Sequence, residues 1–242
     1  MSDLVLSLFP GIGLLDRAFE LEGFSVVRGP DKLWGGDIKR FHVPAGVFGG
    51  IIGGPPCQAH SAFVPLIRHN GYKLSEDLIP EFMRVVAEGQ PDWFLMENVR
   101  RAPVPEISGY TVHAPLFDNR WIGGEQSRMH RFSFGTRDGR RLDTGSFESI
   151  FENMDRAARV CARGSWVPRL DRGGRPKKKT LSQWGYRSNA LFKRYCVLQG
   201  LSADFDLPGF TVEEKIRALG NAVPLPMGRV LARAVRRALE VA

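Results

Sequence analysis

The feature that most constrains this chain is a short apolar run, Val5, Leu6 and Leu8, that breaks at Phe9-Pro10-Gly11-Ile12-Gly13. It resumes as Leu14, Leu15, Ala18, Phe19 and Leu21 at helical spacing up to Gly23. The pattern reads as strand, glycine turn and helix. Such a turn lets the backbone approach a ligand at the C-terminal edge of the strand, where open α/β sheets bind nucleotides. A tight turn without a ligand would look the same. The dinucleotide fingerprint needs a further glycine at position 16, where this chain has Asp16, so a pyrophosphate site is disfavoured.

The alternation continues. Phe24 to Val27 reads as a second strand and Gly46 to Ile52 as a third that runs into Gly53-Gly54-Pro55-Pro56. A helix follows around Ile79 to Glu88, and Trp93 to Met96 reads as a fourth strand. Strands alternating with helices predict a doubly wound α/β sheet of parallel strands. Further strands are expected at Tyr110 to Ala114 and Arg131 to Gly135, beyond which the pattern stops. Phe147, Ile150, Phe151, Met154, Ala158 and Cys161 keep helical spacing, and Arg172 to Lys179 reads as a Gly- and Lys-rich loop. Helices are predicted again at Ala190 to Leu198, after the capping box of Thr211 and Glu214 up to Gly220, and from Leu225 to Leu239. The last carries an apolar stripe of Met227, Val230, Leu231, Ala234, Val235 and Ala238 that needs a partner surface.

With 242 residues, 43% of them hydrophobic, the chain can bury a core without disulfide or metal staples. Cys57, Cys161 and Cys196 have neither zinc-ligand nor paired-disulfide spacing, which fits a reducing cytoplasmic setting and no metal. No apolar run approaches the length of a membrane span, so the chain is expected to be neither exported nor inserted. The net charge of +8 is unevenly placed. Residues 136–189 hold 13 Lys/Arg and 6 Asp/Glu, against 21 and 20 elsewhere. A basic segment of this kind attracts phosphates or is simply a solvated loop.

Three further stretches carry chemistry. Gly53-Gly-Pro-Pro-Cys57-Gln58-Ala-His60-Ser61 fixes a cysteine on a shaped loop at the same sheet edge, as a nucleophile or as a structural cysteine in a rigid turn. Met96-Glu97-Asn98-Val99 puts a carboxyl and an amide at the end of the fourth strand, which becomes informative if Glu97 and Cys57 share one cleft. Gln126-Ser-Arg128-Met-His130-Arg131 enters a strand with Arg128 and His130 on one face.

Taken in order with Gly220-Asn221-Ala222-Val223-Pro224, these stretches resemble the motif series of the DNA cytosine-5 methyltransferases, and Leu198-Gln199-Gly200-Leu201 is similar to that family's segment after its target recognition domain. The resemblance implies a Rossmann-like, S-adenosylmethionine-dependent methyltransferase core in residues 1–135 and 190–242, with a small target recognition insert at 136–189. It implies that Cys57 adds to C6 of a flipped cytosine in double-stranded DNA, that Glu97 bonds N3 and the exocyclic amine, and that Arg128 holds that carboxylate and the base. Asn98 would order the loop, and His130 would donate to a carbonyl oxygen. Phe9, Gly11, Ile12, Gly13, Asp31, Asp37, Pro55, Asn221 and Val223 would surround the cofactor. Gln58, Ser61, Arg172, Arg175, Lys177, Lys178 and Lys179 would meet DNA. A monomer is expected. The same chemistry and motifs occur in tRNA-directed relatives, and a catalytically silent DNA-binding protein of this fold is the other alternative.

The chain also departs from the family pattern. Ser7 stands where aspartate is usual, Leu14 where glycine is, His60 where phenylalanine commonly precedes Ser61, and His130 where a second arginine is expected. Arg131 could replace that arginine only through a register shift, because adjacent strand residues point to opposite faces.

Overall fold

A computed structural model describes residues 2–60, 69, 76–124, 126, 128–142 and 188–240. Among these, seven strands form one sheet: β1 (Leu4–Leu8), β2 (Ser25–Arg28), β3 (Gly50–Gly53), β4 (Trp93–Val99), β5 (Thr111–His113), β6 (Leu116–Asp118) and β7 (Met129–Thr136). The order is β2-β1-β3-β4-β7-β5, with β6 also paired to β7. The first four strands run parallel, as the alternating pattern predicts.

β7 is a correction to the all-parallel expectation, since it runs antiparallel to β4, β5 and β6. The connection from β6 to β7 is too short for the crossover that parallel neighbours require, so the chain turns back on itself. β6 has no counterpart in the sequence pattern. It continues the register of β5 along β7, with Pro115 between them and its carbonyl accepting from Phe132 N at 3.0 Å. The third strand begins at Gly50 rather than Gly46, because Gly46 takes a left-handed φ of 74° and donates its N–H to the Gly89 carbonyl.

Helices α1 (Leu14–Leu21), α2 (Ile79–Gly89), α3 (Asn189–Leu198), α4 (Val212–Asn221) and α5 (Leu225–Glu240) complete the described core. α1 and α5 pack on the sheet face that presents Val5, Ile52, Trp93, Leu95, Phe132 and Phe134, and α2 packs on the opposite face against Leu6, Leu8, Ile51, Phe94 and Met96. The buried stripe of α5 includes Met227, Leu231, Ala234, Val235 and Ala238, and each fully buried large side chain contributes about 1.5–3 kcal/mol. Gly228 brings α5 close to α1, since a Cβ there would lie 2.6 Å from Ala18 Cβ. α4 does not stop at Gly220 but runs through it to Asn221, opening on the expected capping box of Thr211 and Glu214. α3 and α4 form a third cluster with Leu14.

Parallel β1, β3 and β4 end on one edge of the sheet, and antiparallel β7 begins there, with Val99 opposite His130. That topology brings four stretches distant in sequence to one place. The helix expected at Phe147 to Cys161 and the loop Arg172 to Lys179 lie outside the described residues.

Candidate active site

The loop after β1 is held in an uncommon conformation. Phe9, Gly11 and Gly13 take φ values of 56°, 55° and 75°, of which only Phe9 bears a side chain, at a cost of order 1–3 kcal/mol. Asp31 locks the loop, its Oδ2 accepting from Gly11 N at 2.8 Å and its Oδ1 from Leu33 N at 2.7 Å. Trp34 Nε1 donates to the Gly11 carbonyl at 2.6 Å, and its exposed ring meets Phe210 edge-on at 5.7 Å. A Cβ on Gly11 would meet nothing within 4 Å, so the loop opens onto free space at Gly11, between its contacts to Trp34 and Asp31. Ile12 is half-buried against the cluster of α3 and α4. Asp37 is exposed and caps the turn Ile38–Arg40 through Lys39 N.

Beneath this loop lies a buried carboxyl that the sequence marked only as a missing glycine. Asp16 Oδ1 accepts the Ser7 hydroxyl at 2.5 Å and its Oδ2 pairs with Arg28 Nε at 3.0 Å. Burial pushes the Asp16 carboxyl up, and the Ser7 hydroxyl and Arg28 guanidinium oppose that push. The Arg28 guanidinium in turn lies over Gly13, where a Cβ would come within 2.8 Å of it.

After β3, the turn Cys57–His60 carries the half-buried thiol. Burial pushes the Cys57 thiol up, while the positive charge of Arg128 pulls it down. Asn98, fully buried, donates Nδ2 to the Pro55 carbonyl at 3.1 Å and accepts from Val99 N at 2.8 Å, tying the end of β4 to the cysteine loop. Pro55 itself is buried and Gln58 exposed. His60 Nε2 lies 2.9 Å from Asp77 Oδ2, and Asp77 Oδ1 accepts from Ile79 N at the start of α2.

Glu97 and His130 are diagonal neighbours on one face of the β4/β7 ladder. His130 Nδ1 is bonded to Glu97 Oε1, whereas Glu97 Oε2 turns toward Gly54 of the cysteine loop, 3.0 Å from where a Cβ would stand. Burial pushes the His130 imidazole down to about 4. The Nδ1 of His130 is thus taken by a carboxyl, because the ladder sets the two side chains side by side. Arg131 points to the other face and donates to the Arg100 carbonyl at 3.0 Å, so it does not replace the missing arginine.

Arg128 Nη1 donates to the Gly220 carbonyl at 3.0 Å, and its backbone N donates to Asp118 Oδ1 at 3.2 Å. Gln126 Nε2 donates to the Leu198 carbonyl at 2.8 Å, and buried Gln199 Nε2 reaches the Leu219 and Ala222 carbonyls at 2.5 and 3.2 Å. These bonds dock the α4–α5 junction onto the start of β7. There Asn221 is exposed and Val223 buried in the core. The hub role of Gln199 and the part played by Asp118 are not legible in the sequence, since each acts only through residues far off along the chain. Ser61, Arg172, Arg175, Lys177, Lys178 and Lys179 lie outside the described residues. Among the described residues no group of three His, Cys, Asp or Glu could hold a metal ion, and no helix is long and apolar enough to cross a membrane.

A glycine loop, a cysteine turn and a strand-end carboxyl at one edge of a Rossmann-like sheet define the class of group-transfer enzymes built on this fold. The family model for C-5 cytosine-specific DNA methylases matches residues 32–163, more than half of the chain, and the chain belongs to that family. The family and its fold are generally S-adenosylmethionine-dependent. Among curated relatives, the chain is 28% identical over 193 residues to Type II methyltransferase M.FnuDI of Fusobacterium nucleatum, covering 67% of this chain and 54% of that one. It thus spans about half the length of that relative. It is 22% identical over 334 aligned positions to Type II methyltransferase M.NgoPII of Neisseria gonorrhoeae, covering 98% and 96%. Solved structures of similar fold include the Entamoeba histolytica methyltransferase EhMeth, at 12% identity and a TM-score of 0.58 over 99% of both chains. The Dnmt2 methyltransferase of S. pombe is another, at 14% and 0.59 over 98% of both.

Proposed function

We propose that this chain is a DNA cytosine-5 methyltransferase, and that like its Type II relatives it modifies short duplex sites. The observation that carries the reading is the meeting of Cys57, Glu97 and Arg128 at one sheet edge beside an open glycine loop.

The loop fits an S-adenosylmethionine cofactor, because Gly11 faces open space beside the exposed Trp34 ring and the Asp31 carboxylate. Phe9, Gly11, Ile12, Gly13 and Asp31 would hold it, with Asp37, Pro55, Asn221 and Val223 near its ends. When bound, the cofactor supplies an electrophilic methyl group. The chain's own residues prepare the carbon that takes it. Cys57 Sγ, as thiolate, bonds to C6 of the cytosine; the C5=C6 pair shifts toward C4, and N3 takes a proton from the Glu97 carboxyl. C5 is thereby converted from an unreactive ring carbon to an enamine carbon. Arg128 draws the thiol toward its thiolate and braces the α4–α5 junction behind the base. Solvent water then takes the C5 proton, that bonding pair re-forms C5=C6 as Sγ leaves as thiolate, and N3 returns its proton to Glu97.

Residues 136–189 would read the DNA, with Arg172, Arg175, Lys177, Lys178 and Lys179 on phosphates and Gln58 and Ser61 near the displaced base. The test is transfer of labelled methyl from S-adenosylmethionine to unmodified duplex DNA, with Cys57→Ser alongside. Label in 5-methylcytosine that the variant loses is expected. Label on tRNA alone, or none with the folded protein, overturns the reading.

A further inference from the structure

Glu97 divides its two oxygens between different tasks. Oε1 is held by His130 Nδ1, and Oε2 turns toward Gly54 of the cysteine loop. Glu97 and His130 are both largely shielded from solvent, their side chains 10% and 15% exposed. An arginine in the place of His130 would be a permanent cation and would hold Glu97 as a carboxylate. An imidazole is a different partner, because it can give a hydrogen bond while carrying no charge. Among the described residues, Arg128 stands just before β7 and donates Nη1 to the Gly220 carbonyl, and Asp118 of β6 lies opposite Met129 and pairs with Arg120 at 2.9 Å. Across β4, His130 faces apolar Val99, and across β6 it faces Phe117.

We propose that His130 is a positioning residue that donates its Nδ1–H to Glu97 Oε1 as a neutral group, so that Glu97 keeps a proton on Oε2 for delivery to ring nitrogen N3. The substrate step rests on the function proposed above. In that step the Oε2–H bond breaks and the N3–H bond forms as Cys57 Sγ bonds to C6, and the Nδ1–H···Oε1 bond strengthens as Glu97 becomes a carboxylate. A buried neutral imidazole is consistent with the low value that burial imposes on His130. A histidine here thus places a neutral hydrogen-bond donor, rather than a fixed charge, beside Glu97.

Two measurements decide this. Imidazole 15N shifts of His130 in the free protein should show a neutral ring protonated on Nδ1 at neutral pH; an imidazolium, or a ring protonated only on Nε2, overturns the assignment. This holds whether or not the protein methylates DNA, so a failure of the proposed function is seen separately, as wild-type protein without transfer. In single-turnover methylation, His130→Arg should move the alkaline limb of the rate profile down by about one to three pH units, the effect of a cation beside a carboxyl. His130→Gln, a neutral donor, should leave the limb in place while lowering the rate. An unmoved limb in the arginine variant, or an equal shift in both, overturns the proposal.

Discussion

Ser7 donates its hydroxyl to Asp16 Oδ1 at 2.5 Å, so a carboxyl lies against the end of β1 although the strand itself carries none. The departure at Ser7 is met from the first turn of α1, and the same carboxyl anchors Arg28 over Gly13. Ser7→Ala should cost about 1–3 kcal/mol, because a buried acceptor loses its donor. Urea denaturation checks the value, and an unchanged midpoint would show that the bond adds nothing to stability.

Asp16 also makes stability depend on pH. Its carboxyl lies above the ordinary 3.8 in the folded chain, so the folded state holds that proton more tightly than the unfolded one. The linked stabilisation is complete below 3.8 and is lost as pH rises through the folded value. Asp16→Asn cannot titrate and should flatten the slope of stability between acid and neutral pH. A slope like that of the wild type would place its origin elsewhere.

Cys57 is opposed by burial and helped by Arg128. Alkylation of Cys57 should therefore accelerate with rising pH, and Arg128→Gln should slow it at any pH below the thiol's own range. Cys57→Ser should cut methyl transfer by roughly 10⁴-fold or more while leaving cofactor binding near the wild-type level. Turnover retained in the serine variant would dismiss the thiol as nucleophile. Cys196 serves as an internal control, since burial pushes it to about 11.

Gly11 and Gly13 share a left-handed φ but differ in surroundings. Gly11→Ala meets open space and should lose about 1 kcal/mol of stability from backbone strain, together with cofactor affinity. Gly13→Ala drives a methyl into the Arg28 guanidinium, so it should lose more stability and weaken the Arg28–Asp16 pair. Calorimetric titration with S-adenosylmethionine and thermal melting of both variants would show the ordering, and equal losses would contradict it.

Gln199→Ala removes a donor from the Leu219 carbonyl, which still accepts from Ala222 N, and from the Ala222 carbonyl in a buried site, which should cost about 1–3 kcal/mol. The loosened α4–α5 junction should also lower methyl transfer more than cofactor affinity. Denaturation and single-turnover rates measured together separate the two effects.

Neutralising Lys177, Lys178 and Lys179 together should weaken DNA binding and reduce the slope of log affinity against log salt by about 0.9 for each phosphate that no longer meets a cation. A slope equal to that of the wild type would return the run to a solvated loop.

Local periodicity makes the first half of the fold legible. Strands β1 to β4 and helices α1 and α2 declare themselves because burial on one face or two leaves a period in the sequence itself. The antiparallel entry of β7 does not, since strand direction depends on how the chain returns, and alternation reads the same in both senses. β6, three residues long and set off by Pro115, is too short to carry a period of its own.

At the site, the motif series by itself determined which residues stand at the sheet edge: Cys57 on its Gly-Pro loop, Glu97 and Asn98 at a strand end, and the glycines after β1. Tertiary structure alone decided how they are used. It set His130 against Glu97, brought the Asp16 carboxyl against Ser7, and made Gln199 the clasp between distant segments. The physical reason is the same in each case. Residue identity and short-range periodicity are written along the chain, whereas the partner of a buried polar group is chosen by ladder register and helix docking, which join positions 9 to 73 residues apart.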